Sequence, residues 1–283
     1  MTQSAIPPLV STDWLAERMP LGDVRVLDAS WYMPAQQRDA KAEYHAHHIQ
    51  GAVFFDIDAV ADTASGLPHM LPTPHAFAHA VGSLGIGNAD AVVIYDGTGI
   101  FSAPRVWWTF RVFGHDRVAV LDGGLPKWRR EGKPTESGPT KCRSVPFTAT
   151  LRPELVRDFA AMTANLQNNR DVVLDARSPG RFAATEPEPR PGLAGGHIPG
   201  SRNLPFQALI DPDSGTMRAP DELMKIFVAA GVSPTTPVTA TCGSGLTAAI
   251  IAFSLFLIGH RDAAIYDGSW SEWGAKAGAP IER

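Results

Sequence analysis

Thr241-Cys242-Gly243-Ser244-Gly245-Leu246-Thr247-Ala248 joins a short β-prone run, residues 237–241, to an apolar run of helical character, residues 248–258. A glycine-rich turn between a strand and a helix is the connection of an α/β unit, and in parallel sheets the reactive groups gather in loops at the carboxyl ends of strands. Cys242, one of two cysteines in the chain, stands where backbone N–H groups converge and the positive end of a helix dipole points outward. Both effects favour thiolate over thiol. The thiolate is the nucleophilic form, so the position suits sulfur chemistry; a small buried cysteine at a strand end is the alternative.

Outward from this loop the chain repeats itself. Val26-Leu27-Asp28-Ala29-Ser30 recurs 147 residues on as Val173-Leu174-Asp175-Ala176-Arg177, and His48-Ile49-Gln50-Gly51-Ala52 recurs 149 residues on as His197-Ile198-Pro199-Gly200-Ser201. Gly114-His115 returns as Gly259-His260, and Val120-Leu121-Asp122-Gly123-Gly124 is answered by Ile265-Tyr266-Asp267-Gly268-Ser269, both 145 residues on. Matched blocks in one order at a nearly constant offset indicate a duplicated domain, not a solenoid of short units. Residues 131–146 are rich in Gly, Pro, Ser, Thr and Lys without apolar periodicity, as a surface linker would be. The expected division is a first domain over residues 1–138, a linker over 139–147 and a second domain over 148–283.

Within the first half, residues 24–28, 91–95 and 117–121 read as buried strands, and 77–84 and 104–113 as helices. The second half repeats the alternation, with strands over 172–175, 238–241 and 263–266 and helices over 220–230 and 247–259. The fold class expected is therefore α/β: two tandem domains, each a mainly parallel sheet flanked by helices. Aligning the halves sets Asp96-Gly97-Thr98-Gly99-Ile100-Phe101 against Cys242-Gly243-Ser244-Gly245-Leu246-Thr247. The glycines keep register while aspartate replaces the nucleophile. The first domain reads as a catalytically degenerate copy in which Asp96 caps the helix that follows.

Composition narrows the function. A net charge of −4 leaves no basic excess for a nucleic-acid partner. Two cysteines without paired spacing speak against a disulfide framework or a cysteine-rich zinc site, and for a reducing, cytoplasmic setting. Residues 1–10 have neither a basic start nor a long apolar core, so no leader is expected. The apolar run 248–258 is about half the ~20 residues that span a bilayer, so the chain should be soluble, with no membrane partner. Tyr44-His45-Ala46-His47-His48 has the look of a metal cluster, but no cysteine or acidic set is spaced to complete it, and the match of His48 with His197 points to a repeated role in a turn. No metal is expected. Trp107 and Trp108 read as packing residues on a helix, and Cys142, between Lys141 and Arg143, as a surface thiol.

The blocks Ser102-Ala103-Pro104-Arg105-Val106-Trp107-Trp108, Gly180-Arg181-Phe182, Thr185-Glu186-Pro187-Glu188-Pro189-Arg190, Gly196-His197-Ile198-Pro199-Gly200, Tyr266-Asp267-Gly268-Ser269-Trp270 and the Cys242 loop resemble rhodanese domains. The chain as a whole is similar to the tandem-domain rhodanese sulfurtransferases, above all to those acting on 3-mercaptopyruvate. The uncharged run Gly243 to Leu246 carries this distinction, because thiosulfate-specific members place Arg and Lys in that loop. A compact dianion gains from such cations, whereas an uncharged loop holds a single negative sulfur by its backbone N–H groups. Ala248 stands where a cysteine phosphatase would carry Arg, which speaks against phosphate-ester chemistry.

The resemblance implies roles. Cys242 is the nucleophile and persulfide carrier. Gly243, Gly245, Leu246 and Thr247 line the substrate site. Arg181 and Arg190, in a segment stiffened by Pro187, Pro189 and Pro191, bind the substrate carboxylate and carbonyl, as planar guanidinium groups suit; pairing with Glu186 or Glu188 is their alternative. Ser244, His69 and Asp58 match a relay that would serve the enolate leaving group, against a plain hydrogen-bonding role for Asp58 and His69. No metal or organic cofactor is implied, since thiolate attack alone moves sulfur. The implied partners are a small-molecule donor, 3-mercaptopyruvate, and a thiol acceptor such as a small thiol or a thioredoxin, or cyanide in an assay. A thiosulfate sulfurtransferase and a non-catalytic persulfide carrier are the alternative functions, and paired arginines in a rigid loop argue against the carrier.

Overall fold

The computed structural model describes residues 6–233 and 235–283. Residues 1–5, at the start of the segment read as lacking a leader, and Pro234 lie outside the described residues. The chain forms two compact units, one of Met1–Val60, Pro72–Leu151 and Pro212–Met217, the other of Ala61–Leu71, Arg152–Asp211 and Arg218–Arg283. Each unit thus includes a short segment from the opposite half of the sequence. Residues 139–147 are held in the first unit, where the Val145 N–H donates to the Gly82 carbonyl at 3.0 Å.

The first unit contains strands β1 (Leu9–Val10), β2 (Val24–Asp28), β3 (His48–Ile49), β4 (Val53–Phe54), β5 (Ala91–Tyr95), β6 (Val118–Leu121) and β7 (Thr135–Glu136). Its helices are α1 (Thr12–Arg18), α2 (Ala40–Ala46), α3 (Ile57–Val60), α4 (Pro74–Ser83), α5 (Ala103–Val112) and α6 (Gly124–Arg130). The second unit has β8 (Val156–Arg157), β9 (Val172–Asp175), β10 (Arg202–Asn203), β11 (Val238–Thr241) and β12 (Ala264–Tyr266), with α7 (Phe159–Asn168), α8 (Pro179–Phe182), α9 (Pro220–Ala229), α10 (Ala248–Leu257) and α11 (Ser269–Trp273).

Each unit is built on a parallel sheet, ordered β1-β6-β5-β2-β4 in the first and β10-β9-β11-β12-β8 in the second. Read from opposite ends the two orders are one topology, as the repeat requires. Ala91-Val92-Val93-Ile94-Tyr95 is buried at every position, because β5 lies mid-sheet with both faces covered. Its counterpart β11 is likewise buried throughout and central. Helix α10 carries no charged side chain and is buried from Ala248 to Leu255, as a helix apolar all round must be. Other helix starts are set by side-chain oxygens: Thr73 accepts from the Ala76 N–H with Pro74 in the first turn, and Asp158 accepts from the Ala161 N–H. Trp107 and Trp108 are both buried on α5.

The aligned histidines do perform one repeated task. His48 bonds the Tyr44 carbonyl through Nδ1 (2.8 Å) and Glu136 through Nε2 (3.2 Å), and Glu136 also accepts the Gly51 N–H. His197 bonds the Phe182 carbonyl through Nδ1 (2.9 Å) and lies 3.6 Å from Glu282, which accepts the Gly200 N–H. In each copy the ring ties a turn to the segment that closes the unit. The central strands β5 and β11 deliver Asp96 and Cys242 to equivalent loops at their carboxyl ends.

Candidate active site

Cys242 leaves the end of β11 with 2% of its surface exposed. The loop that follows is anchored from one side by α11. The Trp270 N–H donates to the Cys242 carbonyl at 3.0 Å, the Ser271 N–H and hydroxyl donate to the Gly243 carbonyl at 2.9 and 2.6 Å, and the Cys242 N–H donates to the Ser269 hydroxyl at 3.3 Å. In a trans peptide C=O and N–H point opposite ways. Fixing the carbonyls of Cys242 and Gly243 on α11 therefore turns the N–H groups of Gly243 and Ser244 to the other side. Gly245, at φ +76°, bends the chain through the left-handed region toward α10, whose first turn begins without a side-chain cap at Thr247. Leu246 and Thr247 form the turn into that helix, with Leu246 buried.

The absence of a side chain at Gly243 admits both predicted arginines. A Cβ placed there would lie 2.9 Å from Arg181 Nη2 and 3.6 Å from Arg190 Nη1. The two guanidinium groups thus converge on the residue next to Cys242. Arg181, on α8, is also gripped by Glu188, with Nη2 to Oε2 at 2.6 Å and Nε to Oε1 at 3.3 Å. Glu188 is in turn held by Arg177 Nη1 at 2.7 Å, and its side chain is 2% exposed. Burial works against the charge of Arg177, but Asp175 and Glu188 more than offset it and hold its pKa above the ordinary arginine value. Pairing of Arg181 with Glu188 and proximity to Gly243 are thus realised together. Ala184, in the stretch after Arg181-Phe182, adopts the left-handed region at φ +56°.

His69 lies within the second unit through the segment Ala61–Leu71. Its Nδ1 is 2.9 Å from the Ser244 hydroxyl, and both residues are buried. His69 holds φ +61°, a conformation uncommon for a side chain of this size. Asp58 belongs to the first unit, where its Oδ2 accepts the Trp31 indole N–H at 2.9 Å. Cys242, Ser244, His69, Arg181 and Arg190 are therefore gathered in one unit, and Asp58 is in the other.

A rhodanese-like domain profile matches residues 11–131 and again 159–276. The chain belongs to the rhodanese family. It is 44% identical over 300 residues to thiosulfate/3-mercaptopyruvate sulfurtransferase 1, mitochondrial, of Arabidopsis thaliana, covering 99% of this chain and 79% of that one. It is 48% identical over 272 residues to thiosulfate sulfurtransferase of Cricetulus griseus, covering 94% and 91%. Among solved structures, the 3-mercaptopyruvate sulfotransferase SseA of Escherichia coli superposes with a TM-score of 0.85 at 38% identity, over 94% of this chain and 99% of that one. The chain is an enzyme of the sulfurtransferase class.

The first rhodanese domain shows what its loop is built to hold. The Asp96 carboxylate, 1% exposed, accepts five backbone N–H groups: Thr98 and Gly99 on Oδ1 at 2.9 Å, and Phe101, Ser102 and Ala103 on Oδ2 at 2.8–2.9 Å. This goes beyond a helix cap, which satisfies one or two donors. The loop is an anion nest filled by its own side chain.

Sequence reasoning missed the Arg177–Glu188 pair as the support of Arg181. A signal was present in the repeat, where Arg177 replaces Ser30 behind the matched aspartates Asp175 and Asp28. It also missed the turn 267–271 as the scaffold of the loop; Ser269 and Ser271 act through hydroxyls whose targets are distant in sequence. Among the described residues no group of three or more His, Cys, Asp or Glu is placed to hold a metal ion, and no helix is long and apolar enough to cross a membrane.

Proposed function

We propose that this rhodanese takes sulfur from 3-mercaptopyruvate onto Cys242 and passes it to a thiol acceptor. The convergence of the Arg181 and Arg190 guanidinium groups on Gly243, beside the nucleophile, carries this reading. An α-keto acid offers a carboxylate and an adjacent carbonyl to such a pair. Arg181 commits Nε–H and one Nη2–H to Glu188, which leaves three of its five N–H donors outside that pair.

The Cys242 thiolate attacks the sulfur of the donor. An S–S bond forms as the C–S bond breaks, and the electron pair leaves on carbon as the enolate of pyruvate. A proton delivered to that carbon completes pyruvate. Ser244, bonded to His69, is suited to deliver it. Asp58 stays in the proposal as third member of the relay on the family resemblance alone. In the second half-reaction an acceptor thiolate attacks the outer sulfur and restores the Cys242 thiolate. A small thiol, a thioredoxin or cyanide fits this step, and a reducing, cytoplasmic setting keeps Cys242 available. Gly243, Gly245, Leu246 and Thr247 supply the backbone wall around the sulfur.

Thiosulfate is the second donor to consider, because the relative at 48% identity bears that name. The test is an intact-mass measurement after incubation with mercaptopyruvate, joined to steady-state rates with each donor. The expected result is a gain of one sulfur atom that is absent in Cys242→Ser, and a higher kcat/KM for mercaptopyruvate. Arg181→Ala and Arg190→Ala should weaken its use far more than that of thiosulfate. A higher kcat/KM for thiosulfate, or equal losses for both donors, would replace the mercaptopyruvate reading with the thiosulfate one.

A further inference from the structure

We infer that Asp267 is a positioning residue for proton delivery, acting on His69 through the segment Ala61–Leu71; the inference rests on reading His69 and Ser244 as the source of the proton that the enolate takes. Asp267 is 5% exposed, and its Oδ2 accepts the Leu71 N–H at 2.8 Å. Leu71 is two residues from His69, and the segment closes on itself where the Asp62 N–H donates to the Met70 carbonyl at 2.9 Å. Asp267 is itself fixed by its N–H to the Arg157 carbonyl at 3.1 Å.

The same short turn grips the nucleophile loop. Ser269, two residues after Asp267, accepts the Cys242 N–H, and Trp270 donates to the Cys242 carbonyl. One turn thereby sets the His69 segment and the Cys242 loop in register. His69 needs such support, because a left-handed backbone at a histidine persists where its surroundings hold it.

The duplication supplies a control inside the molecule. In the first unit Asp122 matches Asp267, and its Oδ1 accepts the Met217 N–H at 2.9 Å. Met217 lies 146 residues beyond Leu71, and the residue 146 beyond His69 is Gly215. The anchor is duplicated and the histidine is not. A purely structural role predicts that the two aspartates respond alike to substitution. A positioning role predicts that Asp267 alone affects a step that needs a proton.

The test measures Asp267→Asn and Asp122→Asn in the full chain with two sulfur sources. Mercaptopyruvate, on giving up its sulfur, releases the enolate of pyruvate, a carbanion equivalent that requires a proton, whereas inorganic polysulfide releases a polysulfide anion shorter by one sulfur, which does not. Asp267→Asn is expected to lower kcat for mercaptopyruvate by about 10- to 100-fold, part of the ~10²–10⁴ that a positioned acid contributes. KM should stay within about twofold, and the rate of Cys242 persulfide formation from polysulfide should be unchanged, since neither uses the proton. Asp122→Asn should leave both donors unaffected. In a His69→Ala background, Asp267→Asn should add no further loss, because the two act as one unit. If Asp267→Asn does not fold, Asp267→Glu carries the same test with a smaller expected loss. Equal losses with both donors, or additive losses in the double variant, overturn the inference. Failure of the wild type to take sulfur from mercaptopyruvate would instead overturn the proposed function on which it rests.

Discussion

Replacing Asp96 with alanine empties the nest of the first domain. The carboxylate accepts five N–H groups at 2.8–2.9 Å with 1% of the residue exposed, so truncation strands five donors where water has little access. At ~1.5–3 kcal/mol for a hydrogen bond to a charged group, the gross sum reaches about 7–15 kcal/mol. A water or two entering the vacated volume recovers much of this, and removal of one partner from a buried charged contact costs about 3–5 kcal/mol. For a domain of this size that is roughly a 10 °C fall in Tm. Formate is the carboxylate without the chain and should refill the nest. At ~100 mM, with a Kd of about 10 mM, it would return about 1.4 kcal/mol, roughly 4 °C. The assay is calorimetric unfolding of Asp96→Ala across a formate series at constant ionic strength, with pyruvate release at 25 °C normalised to folded protein. Activity per folded molecule should stay near wild type, because aspartate stands in the first domain where the second has Cys242. A Tm within about 2 °C of wild type that ignores formate would refute the anion nest. A large loss of turnover in the folded variant would refute the view that Asp96 only fills its own loop.

Glu188→Gln keeps the shape of the side chain that bridges Arg177 and Arg181 but turns an amide toward two guanidinium groups. It should raise KM for mercaptopyruvate about tenfold, equivalent to ~1.4 kcal/mol, and lower stability by about 2–4 kcal/mol, while persulfide formation from polysulfide is unchanged. Steady-state kinetics beside urea unfolding checks both. Asp28 gives a pH signature in the first domain: burial pushes its carboxyl up to about 6, opposed by its hydrogen bonds from Ser30. The folded state then holds this proton more tightly than the unfolded chain, so the contribution is full below about pH 4 and is lost as pH rises through about 6. At ~1.4 kcal/mol per unit, Asp28→Asn should gain about 3 kcal/mol relative to wild type between pH 3.5 and 7. Urea unfolding at both pH values measures it, and a difference independent of pH would rule it out.

The sheet cores were legible because the central strands carry short, largely apolar stretches, Ala91-Val92-Val93-Ile94-Tyr95 being unbroken: residues 24–28, 91–95, 172–175 and 238–241 fall on β2, β5, β9 and β11 without displacement. The edge strands β4, β8 and β10 are two residues each, too short for any periodicity to register. Helices α8 and α11 escaped for the same reason. At the site, Cys242 announces itself by its loop, and Arg181 and Arg190 by the prolines around them. The proximity of His69 to Ser244 depends on a 175-residue separation closed by the fold, and no local pattern encodes it. The resemblance to a family suggested that pairing; composition and spacing alone had no access to it. The membership of residues 61–71 and 212–217 in the opposite units was likewise invisible, because contacts such as Leu71 N–H to Asp267 and Met217 N–H to Asp122 join residues far apart in sequence.

The filled nest of the first domain bears on why the second would favour a persulfide over a bare thiolate. In aspartate the charge sits two bonds beyond Cβ, on Oδ; in a cysteine persulfide it sits two bonds beyond Cβ, on the outer sulfur. In the thiolate it lies one bond closer to the chain. The five donors around Asp96 belong to residues whose counterparts, 146 positions on, are Ser244, Gly245, Thr247, Ala248 and Ala249, of which the Ala249 N–H already donates to the Leu246 carbonyl at 3.3 Å. A cradle of that size is matched to an anion at carboxylate reach, so on the proposed reading Cys242 fills it only after accepting sulfur. Hydrogen bonds to an ion gain more than those to a neutral group. They would therefore stabilise the loaded form and help draw sulfur from a donor whose carbon leaving group is poor. The aspartate copy would be the loaded state made permanent, with the charge retained and the chemistry removed.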